Sequence, residues 1–458
     1  MSGNLFDGIE VMTERKLSLG DRLAQILGRG KKWMLRRAEQ LAYDVAGLPM
    51  ALRRLGGGKR ASPQQQPARF LHDVYGDFYW RWPGGPVKGV TGAILWPLAL
   101  AVAIAVFTIR NGAAIRQRSG KSIARQVGEQ VMVAARHAVA PFWYYMYELF
   151  DDDRRAKAYL YLTAHETIGP AYSLLQPPAG EDRMADKVWF ANYCRMQGVH
   201  AVPVLMLLSG GAIAAADGTG AALPDADLFV KPREGNGGHN TERWDFIGED
   251  RFRNSKGIVL AKDALVTFLC RQSLKDEYIV QPRLINHPDL ADFSNDALAT
   301  ARVLTCRNEA GDFEATNAAF RMAIGGNSVV DNFHSGGIAT EVDLRTGVIS
   351  AATDMGLKPD VGWRERHPVS GTQISGRRLP QWRDAMELAC AAHRAFPQRT
   401  VVGWDVAFLA DGPCIIEGNG KPDLDIHQRV ERGPAGDGRI AVLLAMNLAK
   451  ALAEPSGG

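Results

Sequence analysis

The feature that most constrains the fold is a hairpin sequence near the C-terminus, VGWDVAFLADGPCIIEGN at 402–419. Two strand-like segments flank residues 410–412, which suit a three-residue turn whose glycine is left-handed. That register places Asp405 opposite Glu417, and Asn419 on the same face. Facing carboxylates repel each other unless a cation lies between them, and these oxygen ligands suit Mg²⁺. The alternative is a hairpin whose polar side chains face solvent.

A second feature is the segment LFVKPREGNGGHN at 228–240. An apolar strand ends in a cation, Lys231, and opens into a polar loop that contains Gly235, Gly237 and Gly238. Glycines let the backbone approach a ligand that a Cβ atom would block, and a cation beside bare N–H groups suits phosphate. Glycine-rich turns are also common without a ligand. Together with the carboxylate hairpin, a phosphate cradle in the same chain points to ATP.

These motifs, in their order along the chain, resemble the ATP-grasp superfamily. The order is Lys187 in DKVWF, Lys231 in FVKPREGNGG, EYIVQP at 277–282, and then the hairpin. The stretches NFHSGGI, HPVSGTQISG and LPQW make the sugar-transfer-associated branch the most similar one. The resemblance covers about residues 181–450 and implies a nucleotide site between two lobes.

The resemblance implies ATP and Mg²⁺ as cofactors and assigns residues to them. Two lysines would hold the phosphates, the glycine loop would cover them, and the segment 281–283 would be a hinge whose backbone reads adenine. The implied nucleotide-binding residues are Lys187, Lys231, Gly235, Gly237, Gly238, Gln281, Pro282 and Arg283. Asp405, Glu417 and Asn419 would carry two Mg²⁺ ions.

Two arginines in strands of the second lobe, Arg302 and Arg321, are the candidate catalytic residues. A cation in a strand of a buried sheet is costly unless it serves a partner, and both suit a transferred phosphate or a substrate carboxylate. The alternative is a structural ion pair with a neighbouring carboxylate. Gly403 stands where several ligases of the superfamily have an arginine, so we expect Arg321 to supply the transition-state charge.

A second flexible loop, GGNSVVDNFHSGG at 325–337, is the candidate substrate loop. Its glycines would let it close over a bound substrate. The candidate substrate residues are Asn332, His334, Ser335, Gly336 and Gly337. Lys421-Pro422-Asp423 departs from the small-residue-Pro-Gly turn that is common after the metal-binding asparagine, which puts the form of the substrate pocket in doubt.

The N-terminal 150 residues are expected to be helical, with a basic start and one long apolar run. The first 60 residues hold twelve Lys and Arg against six Asp and Glu, which suits an anionic surface or a solvated basic face. Residues 89–109 carry no charge and are long enough to cross a bilayer. A buried helix, or one that lies on a membrane, would have the same sequence. PFWYYMYELF at 141–150 is expected in the core or in a membrane-interface belt.

Composition limits the partners and the compartment. The formal net charge of +4 is small, and most of the chain is close to neutral, so no nucleic-acid partner is expected. The five cysteines are scattered without a C-x-x-C pair, which favours a reducing compartment. The N-terminus lacks the apolar core of a secretory signal. We therefore expect a cytoplasmic protein, with attachment to the inner face of the cytoplasmic membrane left open. The oligomeric state is not indicated.

The expected fold class is α/β (α+β), a two-lobed ATP-grasp fold with a helical N-terminal extension. We expect a basic helical region at 1–150, a helical segment before the grasp at 151–223, a first lobe at 224–283, and a second lobe with the metal site at 284–452. The expected strands are 200–207, 228–232, 277–282, 299–306 and 314–324, with helices near 121–139, 185–198, 261–273 and 379–396.

By resemblance, the expected activity is that of a carboxylate–amine ligase. Such an enzyme uses ATP to convert a carboxylate into an acyl phosphate, and an amine then displaces phosphate. The branch implies small-molecule substrates from polysaccharide or glycoconjugate metabolism. Two alternatives remain: a kinase that phosphorylates a hydroxyl, and a membrane-docked adaptor whose nucleotide-binding site has decayed.

Overall fold

The structure is a computed structural model that describes residues 47–55, 58–81, 85–177, 183–235, 240–293, 297–324, 333, 336–357 and 362–453. Five of the candidate site residues lie outside these ranges: Gly237, Gly238, Asn332, His334 and Ser335. The first 46 residues, which include most of the basic N-terminal region, also lie outside them.

Helices dominate the first 200 residues, as the sequence predicts. The helices of the described residues are α1 (Leu48–Leu52), α2 (Pro67–Arg81), α3 (Gly85–Ser119), α4 (Ile123–His137), α5 (Pro141–Met146), α6 (Asp152–Ala156), α7 (Ala164–Glu166), α8 (Tyr172–Leu174), α9 (Lys187–Met196), α10 (Lys262–Gln272), α11 (Trp382–Ala395), α12 (Asp425–Val430) and α13 (Arg439–Ala453). Side-chain caps explain several helix starts. Ser122 accepts a hydrogen bond from the N–H of Arg125 at α4, and Asp186 caps α9.

The strands of the described residues form two antiparallel sheets. They are β1 (Met206–Ser209), β2 (Ala212–Ala214), β3 (Leu228–Pro232), β4 (Glu242–Phe246), β5 (Arg251–Asn254), β6 (Val259–Ala261), β7 (Tyr278–Pro282), β8 (Thr300–Arg307), β9 (Phe313–Met322), β10 (Ile338–Glu341), β11 (Val401–Leu409) and β12 (Gly412–Asn419). One sheet has the order β2-β1-β7-β3-β4-β5-β6 and the other β10-β9-β8-β11-β12. With the helical N-terminal region, this mixed content confirms the predicted fold class.

The seven-stranded sheet begins earlier in the chain than the sequence predicts. Its strands β1 and β2 lie at 206–214, within the segment that was expected to be helical and to precede the first lobe. The expected strand at 200–207 is mostly extended backbone without a strand partner; Ala201 makes only an isolated bridge to Ile415. This happens because β1 pairs through Met206–Leu208 with β7, and that pairing, rather than the apolar run, sets where the strand begins.

The carboxylate hairpin has the predicted pairing but a different turn. Asp405 pairs with Glu417, and Gly403 pairs with Asn419. Leu409 pairs with Gly412, so the turn contains two residues rather than three. A bulge beside Asp405 shifts the register back by one residue and restores the predicted pairs. The turn is one residue shorter than predicted and the bulge shifts the register by one residue, so the two differences cancel. The predicted pairing of Asp405 with Glu417 is therefore correct.

The N-terminal helices pack onto the second lobe rather than standing apart from it. A continuous apolar cluster joins Phe70 and Leu71 of α2 to Leu304 of β8 and Leu444 of α13. The aromatic segment 141–150 lies in a second cluster and is buried. It is therefore part of the protein core and not an exposed membrane belt.

Candidate active site

Lys231 and Glu417 meet across the space between the two sheets. Lys231, at the end of β3, is 8% exposed. Its pKa is lowered to about 8 because burial disfavours the cation, although the carboxylates of Glu417 and Asp405 oppose this shift. The strand thus places a buried cation of one sheet beside the carboxylate pair of the other, as the sequence predicts.

Asp405, 4% exposed, is held by two guanidinium groups. Arg302 lies directly opposite it on β8 and donates from Nε to Oδ1 and from Nη2 to Oδ2, the second bond at 3.0 Å. The Nη2 of Arg321 lies 3.0 Å from Oδ2. Burial alone would raise the pKa of Asp405, but the two arginines hold it below its usual range. Both candidate catalytic arginines therefore make the ion pairs that their alternative interpretation predicts, and they do so inside the candidate site.

The pKa of Glu417 is shifted in the opposite direction from that of Asp405. Burial, and then the negative charge of Asp405, raise its pKa, while Lys231 acts against them. Asp405 and Glu417 face each other across the hairpin. Two facing carboxyl groups mark a position where a divalent cation can bind between them.

Asn419 completes the set of oxygen ligands. It is paired with Gly403, and its Nδ2 donates to the Gly403 carbonyl oxygen at 3.3 Å, so that its Oδ1 remains an acceptor. A Cβ atom at Gly403 would lie 2.9 Å from Cβ of Pro422 and 3.1 Å from Cδ of Arg302. The Arg302 side chain therefore occupies the space in which an arginine at 403 would have to begin.

Lys187 holds the base of the glycine loop. Its Nζ donates to the carbonyl oxygens of Arg233 at 3.2 Å and Gly235 at 3.1 Å. Burial lowers the pKa of Lys187, and the charge of Glu417 acts in the opposite direction. Gly235 has a φ of 118°, a conformation that favours glycine. Lys187 thus links the start of α9, the loop and the carboxylate pair.

Sequence reasoning missed a second set of contacts, made by Asp186 and Arg233, that hold the start of the same loop. Asp186 caps α9 and also pairs with Arg233, with Nη2 2.6 Å from Oδ2 and Nε 2.9 Å from Oδ1. Arg233 also contacts Glu277 at 2.9 Å. The signal was present, because an aspartate directly before a helix predicts an N-cap. Its distant partner could not be inferred locally.

The expected hinge segment 281–283 lies at the end of β7, between β1 and β3. The N–H of Arg283 donates to the carbonyl oxygen of Asp227 at 2.9 Å, and its guanidinium binds the Asp227 carboxylate at 2.8 Å. Pro282 carries no N–H group. Gln281 is buried. Adenine recognition by this segment remains a prediction, and the Arg283 N–H is already engaged.

The substrate loop is described only in part. Gly336 has a φ of 105°, and its N–H donates to the carbonyl oxygen of Phe333 at 3.4 Å. Gly337 is buried beside it. The other three candidate substrate residues lie outside the described residues, so their roles remain predictions.

His427 was not singled out by the sequence, yet it is fully buried near the two arginines. Burial lowers its pKa to about 3, and the charge of Arg302 adds to this effect. Within the described residues neither ring nitrogen has a hydrogen-bond partner. Its short helix, DIHQRV, has no motif that would distinguish it from an ordinary core segment.

The helix that carries His427 is anchored by the N-terminal extension. Trp143 donates through Nε1 to Oδ2 of Asp425 at 3.1 Å, and the Tyr147 hydroxyl donates to Oδ1. Arg429 donates to the carbonyl oxygen of Met146 at 2.7 Å. We call this group of contacts the aromatic anchor. Through these contacts the N-terminal extension supports the helix that carries His427.

Comparison with known proteins places this geometry in a family. The sequence profile described as sugar-transfer associated ATP-grasp matches residues 172–434, which is more than half of the 458-residue chain. No curated protein sequence matches the chain. ATP-grasp enzymes in general use ATP and Mg²⁺.

Solved structures of ATP-grasp ligases are similar in fold at low sequence identity. D-alanyl-alanine synthetase A from Vibrio cholerae has 10% identity and a TM-score of 0.34, over 59% of this chain and 66% of that one. L-amino acid ligase from Bacillus licheniformis has 11% identity and a TM-score of 0.32, over 58% and 48%. N5-carboxyaminoimidazole synthase from Aspergillus clavatus has 11% identity and a TM-score of 0.31, over 59% and 54%. The chain spans less than two-thirds of the length of these proteins.

The profile match covers the lysines, the glycine loop and the carboxylate hairpin, and it confirms the resemblance found in the sequence. The chain belongs to the sugar-transfer associated ATP-grasp family.

Proposed function

We propose that this protein is an ATP- and Mg²⁺-dependent ligase that activates a carboxylate as an acyl phosphate and joins it to an amine. The observation that carries the proposal is a convergence of positive side chains from α9 and both sheets, which we call the cation-rich cluster. Lys231, which is buried, and the partly buried Lys187, Arg302 and Arg321 surround the carboxyl groups of Asp405 and Glu417. Positive side chains in this arrangement suit the phosphates of ATP.

The two lysines are the proposed phosphate ligands. They come from the seven-stranded sheet and from α9, and both interact with Glu417 of the other sheet. A nucleotide between the sheets would raise the pKa of Lys231 back towards its ordinary value, because a nearby anion favours the charged form of a lysine. The loop that begins at Gly235 would then close over the phosphates.

The residues present fit Mg²⁺. Asp405 and Glu417 are paired across the hairpin, and Asn419 offers an amide oxygen beside them. Within the described residues no group of three or more His, Cys, Asp and Glu side chains could hold a metal ion. The proposed site therefore relies on two carboxylates and one amide, with water and phosphate oxygens completing the shell, as is common for Mg²⁺. When bound, two such ions would neutralise phosphate charge.

The proposed reaction has two steps. A substrate carboxylate oxygen attacks the γ-phosphorus of ATP and ADP leaves; the amine nitrogen then attacks the acyl carbon and phosphate leaves. Phosphoryl transfer depends on positioning and charge neutralisation rather than on a protein nucleophile. Arg302 and Arg321 are placed for this task, since a guanidinium has five donors and can bind Asp405 and a substrate oxygen together.

The proposed substrates are small molecules of polysaccharide or glycoconjugate metabolism. The support for this is the description of the family, which is associated with sugar transfer. A sugar acid, or an amino acid attached to a sugar, would supply the carboxylate.

Hydroxylamine trapping tests the proposal. The protein with Mg-ATP receives pools of amino acids and sugar acids, and mass spectrometry detects hydroxamate and ADP. Hydroxamate from one pool, absent in a Glu417→Gln variant, is the expected result and names the acid. ADP without hydroxamate would favour a kinase that phosphorylates a hydroxyl. No ADP with any pool, together with no binding of Mg-ATP, would favour the adaptor and overturn the proposal.

A further inference from the structure

Helix α3 exposes a long apolar face that nothing in the catalytic lobes requires. Its segment from Gly89 to Ile109 contains no charged residue and is about 30 Å long at the helical rise. Only 17% of its most apolar window is buried, with a mean hydropathy of 2.3. Ile94 is 72% exposed, Leu98 65% and Ile109 85%. A helix of this composition inside a soluble core would be mostly buried.

The exposed face is broad. Val90, Val102 and Val106 join the three residues above, and small exposed residues such as Ala101 lie beside them. A contact with a single second helix covers a narrow seam with one residue every three or four positions. The exposed residues Ala93, Ala101 and Ala105 widen the face beyond the four-residue spacing of the large residues, and its polar side chain within 89–109, Thr91, donates to the Val87 carbonyl oxygen at 2.9 Å. A face of this width that is almost wholly apolar fits a lipid surface better than a second copy of the chain.

The C-terminal end of the segment carries charge that an anionic bilayer surface would attract. Arg110 directly follows the apolar segment, Arg116 lies about two helical turns further on, and both are exposed. Basic residues beside an apolar helix suit anionic headgroups. The apolar face and this basic end therefore match the two layers of an anionic membrane.

The opposite face of α3 shows how the helix would lie. Gly89 is packed against the Trp80 ring and Gly92 lies near Leu48, while Thr108 accepts a hydrogen bond from Gln130 at 2.9 Å. The protein body therefore accompanies the helix at both ends of the apolar segment. If the helix crossed a bilayer, the charged residues of α2 and α4 would be drawn into hydrocarbon with it, at high cost. A helix in the plane of the interface avoids this cost.

We propose that α3 is a membrane-docking helix that lies in the interface of an anionic bilayer, with its apolar face in the lipid and the catalytic lobes on the aqueous side. This inference does not rest on the proposed ligase activity. It concerns where the protein acts, and it suits a substrate that is itself attached to lipid or made at a membrane.

Vesicle flotation tests the inference with the full-length protein. The probe is a vesicle of phosphatidylcholine mixed with phosphatidylglycerol. The wild-type protein is expected to float. The variant Leu98→Glu/Val102→Glu is expected to lose at least about ten-fold in floated fraction, because charges do not enter the lipid interior. Met196→Glu is the matched control, since Met196 is 73% exposed at the end of α9, and it is expected to float like the wild type.

Two further measurements keep the result decisive. Circular dichroism and nucleotide turnover check that the variants are folded. None of the three substituted residues lies in the candidate active site, so a folded variant should keep its turnover. An alkaline carbonate wash is expected to release the bound protein. Retention after the wash would overturn the in-plane orientation in favour of a span. Flotation of the double variant at the wild-type level would overturn the docking helix itself. So would a wild-type protein that does not float but forms dimers that the double variant loses.

Discussion

The cation-rich cluster and the aromatic anchor each hold a buried aspartate, Asp405 and Asp425, but they surround it with different kinds of side chain. In the first, charged side chains from both sheets surround Asp405 and Glu417. In the second, Asp425 is held by two neutral donors, the indole of Trp143 and the hydroxyl of Tyr147. Burial, and then the charge of Asp423, raise the pKa of Asp425 well above its usual range.

This difference distinguishes a site that can bind a charged ligand from a contact that only holds two parts of the fold together. The anchor satisfies the Asp425 carboxyl group with neutral donors of the protein, so this group needs no ligand to be stable. The cation-rich cluster holds a buried lysine whose pKa is lowered by burial, which costs stability until an anion binds. Such a cost is common where a site is prepared for a charged substrate.

The sharpest test replaces a carboxyl group in each cluster with its amide. Glu417→Gln imitates the neutral form that the raised pKa of Glu417 favours, so we expect an unchanged melting temperature. Turnover should fall by about 10²–10³, because a proposed Mg²⁺ ligand is lost and with it part of the neutralisation of the phosphate charge. Asp425→Asn makes the same chemical change in the anchor and should keep turnover within a few-fold. Steady-state kinetics and thermal melts of both variants check this. Near-normal turnover in Glu417→Gln would remove the metal assignment.

Removing a cation should separate activity from stability. In Lys231→Met we expect turnover to fall by about 10² while the ligand-free protein gains about 1–3 kcal/mol, since a buried cation with a lowered pKa opposes folding. The pKa of about 8 means that the unfolded chain binds the proton more tightly. Wild-type stability should therefore rise from about pH 8 to about pH 10.5, and the variant should lack this rise. Urea titrations at several pH values measure it. Equal slopes in both proteins would contradict the assignment.

Glu431, the residue after α12, predicts a pH dependence that belongs to the anchor side. Its pKa is raised to about 7 by burial and by Glu341, against a hydrogen bond from Asn317 at 2.8 Å. The folded state therefore binds the proton more tightly, and stability should be lost as the pH rises from about 4.5 to about 7. The loss should be roughly 2–3 kcal/mol. Glu431→Gln should flatten this slope in chemical denaturation. A wild-type profile that is already flat would show that the carboxyl is not perturbed.

The smallest expected effect comes from the anchor hydroxyl. Tyr147→Phe removes a donor to Asp425 and an acceptor from Gln428, whose Nε2 lies 3.0 Å from the hydroxyl. We expect a loss of about 1–2 kcal/mol in unfolding free energy with turnover per folded molecule unchanged. Tyr159→Phe, at an exposed position, is the matched control and should cost nothing measurable. A fall in turnover without a fall in stability would give the anchor a direct role in the site.

Local pattern was sufficient for several parts of the fold. The alternation of the hairpin predicts the pairing of Asp405 with Glu417, because strand periodicity decides which side chains share a face. The alternation predicts neither the two-residue turn nor the bulge beside Asp405, because β11 also pairs with the distant strand β8. The start of β1 was missed for a similar reason, because its partner β7 is some 70 residues further along the chain.

The candidate site likewise combines residues that the sequence predicts with contacts that only the fold reveals. The residue types and their order predict that Lys231, Asp405, Glu417 and Asn419 belong to one site. The pairing of both arginines with Asp405 needs strands β8, β9 and β11 to lie side by side. His427 has no local signal at all, since its environment comes from other elements.

What the sequence determined by itself is therefore local and chemical: the hairpin face, the lysine that ends a strand before a glycine loop, the apolar helix, and the family to which these motifs belong. Only the tertiary structure decided that four cations converge on two carboxyl groups, and that Trp143 reaches Asp425 across 282 residues of sequence. It also decided that one face of α3 stays exposed. The physical reason is that periodicity and motif order fix which groups a segment presents, whereas charge balance and burial depend on partners that are distant in the chain.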